Sequence, residues 1–271
     1  MTTLGILTDI HVSQPGTPPI RWHDDLSLGE AGERFSTALS TLAQHEPDAI
    51  VVLGDLAHLG DNTSLDEFVD RSDAVGLPVL AVPGNHDILE SPNALAAALQ
   101  RRAPLHVAEA TTCVSMIEST TVLGVGVADA VGEHRYESSA HPSRSGPAVV
   151  LSHFPAISFF DLATSVGLRY AGDLVDQGEL ESVLTADPSA VVVLSGHLHL
   201  RAARSSGQML QLCFGALVEP PFDLALATID LDGPNSRVAV DFLGDEHDVP
   251  PVQLPPRVEY IHGINGWTEI G

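Results

Sequence analysis

A chain of 271 residues and 28.6 kDa with 44% hydrophobic residues can bury a sizeable core in one large domain with a small appendage, which excludes a disordered or low-complexity protein. Twelve basic against 36 acidic residues leave a net charge of −24 with His neutral. A surface that negative repels nucleic-acid backbones and anionic membranes, so neither a nucleic-acid duplex nor a membrane is an expected partner. Every basic residue is Arg, which reads as compositional bias. Cys113 and Cys213 are too few and too far apart for a disulfide framework and read as buried thiols in strands. No apolar run approaches the roughly 20 residues of a spanning helix. The N-terminus enters Leu4-Gly5-Ile6-Leu7 without a basic stretch or a cleavage site. A soluble, cytoplasmic protein is expected.

In chain order, strands are predicted at residues 3–8, 49–53, 79–82, 121–127, 148–152, 191–195, 209–214, 224–230 and 237–242. The early ones are nearly continuous in Val, Ile and Leu, as strands buried on both faces are. Helices are predicted at 32–45, after Asn62, at 92–102 and at 177–185. Ser64-Leu65-Asp66-Glu67 has the spacing of a capping box for the second. Alternating strand and helix in the first half predicts parallel βαβ units. From Met209 onward, strands separated by turn residues such as Asp232-Gly233-Pro234-Asn235 predict antiparallel hairpins. Together these predict an α/β protein with a mixed sheet or two packed sheets. Residues 1–244 read as one domain. Residues 245–271, with Pro250, Pro251, Pro255 and Pro256, read as an extended arm, packed on its own domain or exchanged in a homo-oligomer.

The polar residues of interest fall where these strands stop. In α/β sheets, ligands bind beyond the carboxyl ends of the strands. Asp9-Ile10-His11 ends the first strand; positions i and i+2 of an extended chain face one side, so a carboxylate and an imidazole can share an ion. Gly54-Asp55 ends the second, and its carboxylate can bridge two cations. Gly84-Asn85-His86-Asp87 ends the third: Asn supplies a neutral oxygen, His86 can reach a substrate, and Asp87 can hold His86 in one tautomer. His153 follows the strand at 148–152. Gly196-His197-Leu198-His199 follows the strand at 191–195, a second i, i+2 pair. Each element alone has a bland explanation, but five strand ends carrying these residues in this order do not, and a parallel sheet would gather them at one edge.

This ordered set resembles the calcineurin-like metallophosphoesterase superfamily over most of the chain. Its compact Gly54-Asp55-Leu56, Pro83-to-Asp87 and Gly196-to-His199 forms are similar to the branch of class III cyclic-nucleotide phosphodiesterases and glycerophosphodiesterases. The resemblance implies a four-layer αββα sandwich of two mixed β-sheets flanked by helices. It implies one metal ion on Asp9, His11, Asp55 and His199 and a second on Asp55, Asn85, His153 and His197. Asp55 and a water or hydroxide would bridge them, with His86 as the catalytic, non-ligating histidine and Asp87 as its partner. Imidazole, carboxylate and amide donors without thiolate suit Mn, Fe, Zn or Co. The branch often carries an acidic residue three positions after the bridging Asp, where this chain has His58.

The expected reaction is hydrolysis of a small-molecule phosphodiester, of cyclic-nucleotide or glycerophosphodiester type, by attack of a metal-bridging hydroxide. A phosphomonoesterase or nucleotidase, a DNA-processing nuclease and a non-catalytic interaction scaffold with the same fold stand as alternatives. Arg21, Trp22, His23, Asp24 and Asp25 lie in the long connection 15–33, which reads as a site-lining segment or an ordinary surface loop; the segment 154–170, with Phe159, Phe160 and Tyr170, reads as a wall of the cleft or as aromatic packing beneath a loop. Arg201 and Arg204 follow the His pair and face two readings: contact with phosphate, or pairing with surplus acids.

Overall fold

The computed structural model describes residues 1–17, 26–111, 114–130, 133–137, 146–167, 172–232, 235–244 and 254–270. The expectations for Cys113, Tyr170, residues 21–25, the turn at 233–234 and the segment 245–253 lie outside them. Sixteen strands, five α-helices and one short 3-10 helix (Leu28–Glu30) are described in chain order. β1 (Thr2–Leu7), α1 (Ala31–Ala43), β2 (Ala49–Leu53), α2 (Asn62–Asp73), β3 (Val79–Val82), α3 (Ala94–Arg102) and β4 (Val107–Glu109) form the first half. β5 (Ser115–Ile117), β6 (Thr120–Val125), β7 (Val127–Ala130), β8 (Glu133–Tyr136), β9 (Ala148–Ser152), α4 (Phe160–Ser165) and α5 (Gln177–Thr185) follow. β10 (Val191–Ser195), β11 (Ala202–Ser206), β12 (Met209–Cys213), β13 (Ala225–Asp230), β14 (Arg237–Phe242), β15 (Arg257–Gly263) and β16 (Gly266–Glu269) complete the chain.

Two mixed sheets result. The first has eight strands in the order β16-β15-β14-β13-β1-β2-β3-β4, the second six in the order β11-β12-β10-β9-β6-β5. The strand ends expected along one parallel sheet are therefore divided: β1, β2 and β3 belong to the first sheet, β9 and β10 to the second. Period-two burial explains the stacking. Val51 and Leu53 of β2 meet Val192 and Leu194 of β10 in the core between the sheets. Ile50 and Val52 turn outward against Phe35, Leu39 and Phe68 of α1 and α2. Val191 and Val193 turn the other way, against Leu180 and Leu184 of α5. Strands covered on both faces must be apolar throughout, which is the pattern their sequences carry. The layers are helix, sheet, sheet, helix, as expected. Among the described residues, no helix is long and apolar enough to cross a membrane.

Several local expectations are corrected. α2 begins before Ser64, because Asp61 is its N-cap and accepts the Ser64 N–H at 3.0 Å; an Asp three residues upstream takes the capping role, and Ser64 sits inside the first turn. The strand expected at 121–127 breaks at Gly126, and β7 leaves to form a separate ribbon with β8. β12 is parallel to β10 and antiparallel to β11, so the uninterrupted antiparallel series starts at β13, later than Met209. The Cys213 thiol is buried, and burial pushes it up to about 12.

Residues 257–269 form an antiparallel hairpin, β15 pairing with β14 and β16 with β15. Val258, Tyr260 and Trp267 enter the core between the sheets, and the Trp267 indole N–H donates to the Gln208 carbonyl at 2.8 Å. The hairpin thereby ties the first sheet to the β11–β12 turn of the second. Trp267→Ala is expected to cost about 3–5 kcal/mol, the range for truncating a buried aromatic. A fall in the denaturant midpoint at unchanged slope checks this; an unaltered midpoint would show the hairpin to be peripheral.

Candidate metal centre

The chain leaves β1 in a left-handed turn, with φ of 50° at Asp9 and 53° at His11. Asp55 (51°), His197 (69°) and His199 (53°) share that conformation. It costs a residue with a side chain about 1–2 kcal/mol and persists only where neighbours impose it. Here the neighbours are hydrogen bonds. Asp9 N–H donates to the Gly54 carbonyl at 3.1 Å, and the N–H groups of Ile10 and His11 both donate to the Asp55 carbonyl at 2.9 Å. The i, i+2 pairs do converge, but through left-handed turns and not through the pleat of an extended chain. Two glycines permit the close approach: a Cβ at Gly84 would overlap the Asp55 carboxylate, and one at Gly196 would overlap Thr8 and Asp9.

Asp55 is the hinge of the arrangement. Its Oδ2 faces His11 Nε2 at 3.6 Å and its Oδ1 faces His153 Nε2 at 3.4 Å. Around His153 Nε2 also converge Asn85 Oδ1 at 3.1 Å and His197 Nδ1 at 3.2 Å. On the other side, His199 Nε2 lies 3.2 Å from Asp9 Oδ1, and donor atoms of Asp9, His11 and His199 all fall within 4.8 Å of one another. All seven residues expected as ligands are thus brought together in two overlapping groups that share Asp55. His86 stands at the edge, its Nε2 3.9 Å from Asp55 Oδ2. Its backbone N–H donates to Asp55 Oδ1 at 3.0 Å.

The electrostatics favour cations. Burial works to raise Asp55, but the charges of His153 and His86 outweigh it and hold the carboxyl well below the usual range. Burial likewise opposes ionisation of Asp9, and His199 overcomes it. Burial works to lower His153, yet Asp55 lifts it to about 9. Burial depresses His11 and His197, keeping both imidazoles neutral with a lone pair available. Two ionised carboxylates, one amide oxygen and imidazoles, with no thiolate among them, form a donor set that fits a pair of first-row transition ions.

The sequence profile of the calcineurin-like phosphoesterases matches residues 2–201. The chain belongs to that family. Among solved structures, a dimetal phosphatase from Danio rerio superposes with a TM-score of 0.65 at 15% identity, covering 90% of this chain and 96% of its own. The protein TT1561 of Thermus thermophilus superposes with a TM-score of 0.51 at 14% identity, covering 90% of this chain and 99% of its own. At such identities the likeness is one of fold. No curated protein sequence matches.

One expected contact in this phosphoesterase is replaced. The His86 ring is held by the His58 carbonyl in place of Asp87, with His86 Nδ1–H donating at 2.6 Å. Both Asp87 oxygens are engaged by backbone N–H groups, those of Gly84 (2.7 Å), Ala57 (2.9 Å) and Leu56 (3.1 Å). Asp87 is buried and pins the β2 and β3 loops together; burial and the Asp55 charge push it up to about 7 against those donors.

Glu219 and Gly172 carry no signal in the sequence, whereas Phe154 opens the segment 154–170 expected to wall the cleft. Glu219 accepts His199 Nδ1–H at 2.6 Å, fixing the ring so that Nε2 faces Asp9. Gly172 lies so close to His197 that a Cβ there would overlap the ring. Phe154 backs the same ring at a centroid distance of 4.1 Å. Of the two arginines, Arg201 is buried against Asp223, its Nε donating to Oδ2 at 2.7 Å, and Arg204 pairs with Asp161 at 2.6 Å. Phe159 is buried beneath its loop in a cluster with Leu198 and Leu200, while Phe160 is exposed.

Proposed function

We propose that this phosphoesterase hydrolyses a small-molecule phosphodiester at a two-metal centre. One ion would be held by Asp9, His11, Asp55 and His199, the other by Asp55, Asn85, His153 and His197. The observation that carries this reading is the position of Asp55, whose two oxygens face two separate groups of donors. When bound, two divalent ions of the Mn, Fe or Zn type would lower the pKa of a water and offset the charge that grows on the phosphoryl oxygens.

The chain's own residues do the rest. The Leu53 carbonyl and the Glu219 carboxylate accept hydrogen bonds from Nδ1–H of His153 (2.8 Å) and His199 (2.6 Å), which directs both Nε2 atoms into the centre. The His58 carbonyl does the same for His86, so that His86 Nε2 is the atom that faces substrate. Protonated, it donates to a phosphoryl oxygen or to the departing alkoxide. Burial of Asp9, Asp55 and His153 excludes competing water from the donor atoms.

Charge supports a diester over a monoester. A diester carries one negative charge, whereas a monoester near neutral pH carries close to two. At a net charge of −24 the chain penalises the second. The same field weighs against duplex DNA, whose binding draws on many Lys and Arg contacts. A metal-reconstituted panel tests the reading: bis-p-nitrophenyl phosphate, p-nitrophenyl phosphate, 3′,5′- and 2′,3′-cyclic nucleotides, glycerophosphodiesters and single-stranded DNA. The expected result is kcat/KM for diesters at least about tenfold above monoesters, a difference of about 1.4 kcal/mol in transition-state stabilisation. The reverse order would make the protein a phosphomonoesterase.

A further inference from the structure

The His58 carbonyl holds His86, but its side chain has no part in the reading above. It is fully buried, and its Nδ1 lies 3.2 Å from His11 Nδ1. The strand-like pairing of Val12 with the segment before His58 holds it there: Val12 bridges Ala57, and His58 N–H donates to the Val12 carbonyl at 3.0 Å. Its ring lies 5.3 Å from those of both His11 and His86.

We propose that His58 is a positioning residue for His11, a neutral imidazole whose Nδ1 lone pair accepts the His11 Nδ1 proton and so presents His11 Nε2 to the metal centre. The proposal rests on the two-metal reading above. Its direction follows from which nitrogen is needed. His11 Nε2 is the atom facing Asp55 Oδ2, so its lone pair must stay available to a cation and its proton must reside on Nδ1. A proton on His11 Nδ1 requires an acceptor, and His58 Nδ1 is that atom, at 3.2 Å. The bond cannot form if His58 also carries a proton on Nδ1, which fixes its own proton on Nε2. An imidazole acceptor here leaves the pair uncharged, unlike a carboxylate, which would add a negative charge beside the ion.

His58 acts on the two histidines by separate routes. Its side chain meets His11, whereas its backbone carbonyl meets His86. Substituting the side chain therefore removes the first contact and keeps the second. Asn is the informative replacement, because its Oδ1 is bonded to Cγ as Nδ1 is in His and accepts a hydrogen bond from nearly the same place.

The test is Co(II) titration of chelator-stripped full-length protein, read by calorimetry and by visible absorption, with circular dichroism melts as the check on folding. Wild type is expected to bind two ions. His58→Leu is expected to weaken one of the two by about 10–100-fold, the usual cost of losing such a supporting partner, and to leave the other unchanged. His58→Asn is expected to restore the weakened ion to within a few-fold of wild type. Should His58→Leu fold poorly, His58→Ala removes the same acceptor without bulk. Wild-type affinities for both ions in the folded Leu or Ala variant would overturn the proposal, as would a folded Asn variant as weak as these. Failure of wild type itself to bind two ions would instead remove the metal centre, and the proposal with it.

Discussion

Asp55→Asn is expected to empty the centre of both ions together and to abolish most turnover. The reason is that its two oxygens face the two groups of donors, Oδ2 toward His11 Nε2 at 3.6 Å and Oδ1 toward His153 Nε2 at 3.4 Å. Asn keeps an Oδ1 that can accept the His86 N–H, which Asp55 accepts at 3.0 Å, so the link between the loops after β2 and β3 should hold. What is lost is the charge and the second anionic oxygen, which faces His11. A metal pair supplies several kcal/mol of transition-state stabilisation. Its loss corresponds to a fall in kcat/KM on the order of 10³-fold or more. Elemental analysis after reconstitution, alongside kinetics and a thermal melt, provides the check. A variant that keeps one ion at full occupancy would contradict the bridging position.

His86→Ala has the opposite signature. Both ions are expected to remain, because His86 Nε2, 3.9 Å from Asp55 Oδ2, stands farther from that carboxylate than His11 Nε2 (3.6 Å) or His153 Nε2 (3.4 Å), and its backbone N–H survives the substitution. Turnover is expected to drop by about 10²–10⁴-fold, the range for removing a general acid–base group. The fall should appear in kcat with KM little altered, as for an interaction made chiefly in the transition state. Unchanged kcat would remove His86 from the mechanism. Loss of an ion would make it a ligand instead.

The parts of this centre that can be read from the chain alone share a physical cause. β2, β3, β9 and β10 are covered on both faces, so each is apolar up to its last residue, Ser152 in β9 and Ser195 in β10 excepted, and the metal-type side chains that follow stand out. Asp55, Asn85, His153 and His197 are visible for that reason. The division of the strand ends between two sheets is not visible, because an apolar run carries no mark of its neighbours. Nor is Glu219: it lies on a loop after β12, and only the fold brings its carboxylate to His199 Nδ1. Gly172 is hidden in the same way, its significance being the absence of an atom beside His197. Asp87 shows a different failure. Its adjacency to His86 suggests a side-chain partner, but a buried carboxylate next to three backbone N–H groups in need of acceptors satisfies those first.

The C-terminal hairpin is hidden by composition. Four prolines between 250 and 256 predict extended chain, and they mask the alternation in Val258, Tyr260 and Trp267 that places β15 and β16 on the first sheet. His58 is visible as a residue and invisible as a role. Its spacing from Asp55 marks a position near the centre, while the tautomer it imposes on His11 depends on a 3.2 Å approach that no spacing encodes.

The most direct measurement is anomalous diffraction from crystals grown with Mn(II). Two peaks are predicted, one on each side of the Asp55 carboxylate, the first within coordination distance of Asp9, His11 and His199 and the second of Asn85, His153 and His197. Peaks elsewhere, or a single peak with Asp55 turned away from it, would contradict the assignment of this site as a two-metal phosphoesterase centre.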